Sequence, residues 1–171
     1  MKLVLFQRDA GLVNRSIPAA SAVLCVIANV IPLQLPGFAV VTPAFALMAV
    51  FHWSLYRPDL FSFFAAFAVG LLLDLLNGAP PGVSSLIFLL ARAAVLSQRR
   101  IFAGRGFAVI WAGFLALAAG AVAIEWIVVS LLYGIALDVR PFLFQGILTV
   151  SVYPAVSYLL IRAQRNFLMR A

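Results

Sequence analysis

Long apolar runs, interrupted by short breaks rich in proline, glycine and charge, set the pattern of this chain. The runs cover residues 17–35, 38–56, 60–76, 83–98, 107–137 and 142–161. A helix needs roughly 20 apolar residues to cross the ~30 Å hydrocarbon core of a bilayer. The pattern therefore predicts six transmembrane helices in a single all-α membrane domain covering 1–171. The fourth run is short and extends into the interface at Gln98-Arg99-Arg100. The fifth, at ~1.5 Å per residue, would reach roughly 46 Å. It must tilt, project beyond the bilayer, or bend near Gly113, Gly120 or Gly134.

The stretch 53–82 organises the rest. The break Arg57-Pro58-Asp59 opens the third run, with Pro58 at a position a helix start tolerates. That run carries one carboxylate, Asp74, and stops at Asn77-Gly78 before the turn Pro80-Pro81-Gly82. Gly70, Asp74 and Gly78 recur every four residues, so the carboxylate lies on a helix face cleared of bulk. Such a face suits close helix packing or an outward-opening cavity; alternatively, Asp74 binds backbone at the turn. An ionisable group within an apolar run is a functional-site hypothesis because its burial in lipid is costly.

Arg92 and Glu125 are the other charges inside runs. Depth does not favour an Asp74–Arg92 pair, and Arg92 can instead snorkel toward Gln98 and the headgroups. Glu125, beside Trp126, suits a partner helix or a cavity. In the sixth run Gln145, Thr149, Tyr153 and Ser157 follow i, i+4 spacing on one face, which can line a cavity or hydrogen-bond across a helix contact. Asn29 and Gln34 suit interfacial or protein-facing positions. His52, Trp53 and Tyr56 suit the headgroup level.

Composition agrees with the pattern: 65% of the 171 residues are hydrophobic, 10% are charged, and the mean hydropathy is +1.14. A soluble domain could not cover itself with so little polar surface. The net charge of +7 does not imply nucleic acid, because the basic residues sit in short clusters between apolar runs. One side of a six-span bundle receives Lys2, Arg8, Arg15, Arg57, Arg99, Arg100, Arg105, Arg162, Arg165 and Arg170, and the other only Arg140. The positive-inside rule then puts both termini in the cytoplasm. Residues 1–15 with the first run read as a retained span rather than a signal peptide.

Catalytic chemistry finds no support. Cys25 and His52 are the only cysteine and histidine, so neither an intramolecular disulfide nor a metal or catalytic cluster of imidazoles can be assembled, and no nucleophile–His–acid set is evident. Phosphate-binding, dinucleotide and metalloprotease motifs are absent. The expectation is a non-enzyme without cofactor or metal.

The sequence FHWSLYRPD at 51–59, followed by GLLLDLLNG at 70–78 and Pro81-Gly82, resembles the MreD family of bacterial rod shape-determining membrane proteins. The resemblance covers essentially the whole length. It implies a non-enzymatic inner-membrane component that pairs with MreC, a single-span protein with a periplasmic domain. It further implies a role in organising peptidoglycan synthesis with MreB filaments, the SEDS glycosyltransferase and its penicillin-binding transpeptidase. The expected fold is similar to the six-helix substrate-binding subunits of energy-coupling-factor transporters. The alternative function is therefore a vitamin-type transporter subunit, with Asp74, Glu125 and the Gln145–Ser157 stripe lining its pocket.

Overall fold

The computed structural model describes residues 18–30, 42–102 and 104–168, with side chains as far as Arg162. Every regular element among them is a helix: α1 Pro18–Val30, α2 Phe45–Tyr56, α3 Phe63–Asn77, α4 Val83–Phe102, α5 Phe107–Tyr133 and α6 Arg140–Leu168. Two of them, α5 and the Arg140–Arg162 part of α6, are long and apolar enough to cross a membrane. The shorter apolar helices α1, α2 and α3 fall below that length. Residues 31–41, including Gln34 and the start of the second predicted run, lie outside the described residues.

The centre of the bundle is α2. Its 12 residues are apolar almost all round, and every residue from Ala46 to Leu55 is buried. A helix of that composition belongs inside other helices, and α2 packs on α3, α4 and α6. This corrects the headgroup assignment of His52 and Trp53, which are both fully buried. The polar edge of Trp53 meets protein instead of lipid headgroups: its Nε1 donates to Ser21 Oγ of α1 at 2.8 Å. His52 packs edge-on to Trp53 and lies 4.7 Å, centroid to centroid, from the Tyr56 ring.

Aromatic packing ties α2 to the outer helices. Phe51 meets Phe102 of α4, Phe114 of α5 and Tyr153 of α6 edge-on, and Phe114 stacks on Tyr153 at 4.0 Å. Such pairs contribute about 0.5–1.5 kcal/mol each beyond area burial. Only one face of α5 is buried, through Ile110, Phe114, Ala118 and Ala121. Leu115, Ile127 and Leu131 point outward, an arrangement suited to an apolar solvent.

Several boundaries differ from the apolar runs, each for a local reason. α3 begins at Phe63 because Ser62 caps it, accepting from Ala65 N at 3.1 Å; Pro58 sits in the preceding turn. α5 ends at Tyr133, where Gly134 turns left-handed, so residues 135–137 are apolar connection and not helix. α4 runs on to Phe102 and α6 to Leu168, because arginine, glutamine and serine are compatible with helix even where hydropathy falls. Pro154 lies inside α6 and leaves the Val150 carbonyl without its usual i+4 donor. Trp111 Nε1 of α5 donates to that carbonyl at 3.2 Å, joining the two helices where the proline opened one of them.

Candidate functional site

The α3–α4 hairpin brings Gly70, Asp74 and Gly78 together. Gly78 takes the left-handed conformation (φ 64°) that closes α3, and the Asp74 carbonyl accepts from its N–H and from Ala79 N. The Asp74 side chain then crosses to α4 and is fully buried there. Its carboxylate accepts from Gly82 N at 2.8 Å and from Ser84 N at 3.1 Å, two donors that the first turn of α4 leaves without helical partners. The aspartate is thus a capping residue supplied by the neighbouring helix, set at the positive end of the α4 dipole. One turn back, a Cβ on Gly70 would stand 2.5 Å from Ser85 Cα, so only glycine permits this helix approach. Ser85 Oγ completes the contact by donating to the Phe67 carbonyl at 3.1 Å. Of the readings open for Asp74, close packing and backbone binding are what the geometry contains.

Arg57, Pro58 and Asp59 lie at the opposite end of α3. Arg57 and Asp59 are exposed, whereas the Pro58 carbonyl accepts from Arg92 Nη2 at 3.2 Å. Arg92 is 5% exposed and does not pair with Asp74. Its guanidinium lies over the rings of Phe63 (4.7 Å) and Phe61 (5.8 Å), which replace part of its lost hydration. The guanidinium does not snorkel toward Gln98 and the headgroups; it is buried and directed to the α2–α3 turn.

The stripe on α6 faces α2. Thr149, Tyr153 and Ser157 are buried, and Thr149 Oγ1 accepts from Ala44 N at 2.9 Å while donating to the Gln145 carbonyl. Asn29 of α1 accepts from Ala46 N at 3.1 Å. The N-terminus of α2, which Ala44 cannot cap with its own side chain, is thereby capped from two other helices. Tyr153 and Ser157 lie on the packed part of the stripe; Gln145 and Thr149 reach a cavity.

That cavity, of about 100 Å³, lies between the end of α1, the start of α2, the α3–α4 turn and the facing parts of α5 and α6. Its polar lining comes from Asn29, Asn77, Ser84, Glu125, Gln145 and Thr149, over a floor that includes Leu47, Leu73, Ile87 and Phe88. Glu125 therefore lines the cavity, half-buried. Asp74 is not among the lining residues, since its carboxylate is turned into the hairpin. A second hollow of about 550 Å³ lies between α5 and α6, almost wholly apolar and flanked by Trp111 and Trp126.

Asn77 and Ser84 joined this cavity without a signal in the sequence, because ordinary turn residues look the same whether they face solvent or a pocket. Asn29 carried one: an amide inside an apolar run must find a partner. Trp111 was foreshadowed only by Pro154, whose orphaned carbonyl needs a donor from somewhere.

The family model of the rod shape-determining protein MreD matches residues 13–164. The chain belongs to the MreD family. Membership assigns it to bacterial rod-shape determination and covers the hairpin, the Arg92 contact and the cavity together. No curated protein and no solved structure matches the chain.

Proposed function

We propose that the chain is a multi-pass scaffold of the bacterial inner membrane, with six spans and both termini cytoplasmic. It binds MreC and helps organise the elongation machinery of MreB, the SEDS glycosyltransferase and the penicillin-binding transpeptidase. Family membership supports the role in rod shape. The observation that carries the non-enzymatic reading is where the polar groups go. Asp74, Arg92, Asn29 and Thr149 all bind backbone at helix ends or turns, which makes them parts of a rigid frame. The short helices fit a multi-pass reading because α2 is enclosed by other helices and does not itself have to meet lipid across the full bilayer.

The transporter alternative has less to recommend it. The polar cavity of about 100 Å³ is well below the roughly 300–1,000 Å³ of sites for drug-sized ligands. The larger α5–α6 hollow offers almost no polar group to orient a hydrophilic solute. Purification of the tagged protein from its own membranes, followed by mass spectrometry of proteins and small molecules, tests the choice. The scaffold predicts a near-stoichiometric single-span protein with a periplasmic domain, accompanied by cell-wall synthases. Recovery of ATPase subunits or a tightly held metabolite contradicts it.

A further inference from the structure

Glu125, half-buried on α5, is the one carboxylate in the lining of the cavity. Among the described residues it has no hydrogen bond and no ion pair, although it faces a cavity lined by amides and hydroxyls. The nearby helix N-termini do not serve it. Ala44 N and Ala46 N are taken by Thr149 and Asn29, and Gly82 N and Ser84 N by Asp74. Nor do the described residues bring a cation to it. The turn 78–82 and the connection 134–139 hold no lysine or arginine, and Arg140 is exposed at the start of α6. A half-buried carboxylate with neither donors nor a counter-charge is costly.

We infer that this cavity is a binding site for one alkylammonium or alkylguanidinium group, with Glu125 as its counter-ion. The chemistry follows from the lining. The lining offers one carboxylate for one positive charge, the nearby Asp74 being turned onto Gly82 N and Ser84 N, whereas a divalent metal is ordinarily held by more than one. Gln145 and Asn77 supply amide oxygens that can accept the remaining N–H groups. The apolar floor suits the methylene stem of an amphipathic cation, which buries its carbons and keeps its charged head on polar groups. A bare alkali ion would leave that floor without contacts. The space admits several waters, so it is large enough for the head of a lysine or arginine and too small for an elaborate metabolite. The site stands on the cavity alone and is independent of the hairpin's role as a scaffold.

The test uses the full-length protein in lipid nanodiscs with n-butylammonium and n-propylguanidinium as probes at millimolar concentration. Sodium at equal ionic strength is the control. The expected result is a saturable upward shift of the unfolding midpoint with an organic cation, its apparent affinity weakened roughly tenfold or more in Glu125→Gln, a loss of ~1.4 kcal/mol. Gln145→Leu, which keeps the carboxylate, weakens it less and remains informative if Glu125→Gln fails to fold. A photo-crosslinking residue at position 84 in cells separates the two sources of the cation: a discrete protein adduct identifies a partner's side chain, and a co-purifying amine identifies a free ligand. The inference is overturned by the absence of a saturable shift, an equal shift with sodium, or undiminished binding in Glu125→Gln. None of those results alters partner recovery through the hairpin, so the scaffold reading is judged separately.

Discussion

At the scale of single residues, Asp74 decides the most. Its carboxylate holds two backbone donors of α4, and hydrogen bonds to a charged group contribute roughly 1.5–3 kcal/mol each. Asp74→Ala leaves both donors buried without a partner and is expected to destabilise the protein by about 2–4 kcal/mol in detergent unfolding. Asp74→Asn keeps one acceptor oxygen and loses the charge, so its cost should be about half as large. Gly70 responds to volume rather than charge. Gly70→Ala drives a methyl group into the Ser85 backbone and should cost about 1–3 kcal/mol in the same assay, with no change in far-ultraviolet helicity. The four-residue spacing of Gly70, Asp74 and Gly78 was legible in the sequence as a face cleared of bulk. The acceptor role of Asp74 was one of several open readings, since a helix pattern does not say which backbone donors the next turn leaves exposed. His52 and Trp53 misled for a related reason: aromatic rings at the end of an apolar run look interfacial until neighbouring helices are seen to surround them.

At the scale of elements, helix ends are completed by other helices. Caps for α2 come from α1 and α6, and that for α4 comes from α3. The proline break in α6 is completed by Trp111 of α5. Trp111→Phe should therefore cost about 1 kcal/mol by orphaning the Val150 carbonyl. Pro154→Ala supplies a local N–H to the same carbonyl, so the double variant should recover most of that loss. A double-mutant cycle read by thermal unfolding measures the coupling directly, and strict additivity would remove the contact from the account. The apolar runs announced all six helices but misplaced several ends, because hydropathy reports where lipid or core is tolerated. Ser62 and Gly134 set the actual boundaries through capping and a left-handed turn. Of the stripe on α6, Gln145 and Thr149 reach the cavity while Tyr153 and Ser157 are buried in helix packing, a division that depends on which neighbour the face meets.

For the whole molecule, the asymmetry of basic residues and the position of the Glu125 cavity beside the α3–α4 turn define two unlike ends. The proposed topology places Arg57 and Ser97 inside the cell and Asn77 and Asp138 outside. In a Cys25→Ser background, cysteines at positions 77 and 138 should react with an impermeant maleimide added to intact spheroplasts. Cysteines at 57 and 97 should react only after permeabilisation; the reverse pattern would invert the bundle. The central claim is that a rigid, self-capped hairpin underlies a scaffold of rod shape. Its most direct test is cell shape, together with recovery of the single-span partner, in cells whose only copy carries Asp74→Ala or Asp74→Asn at matched membrane abundance. The account predicts rounded cells and lost partner for alanine, with an intermediate result for asparagine. Normal rods and undiminished partner recovery with Asp74→Ala would contradict it.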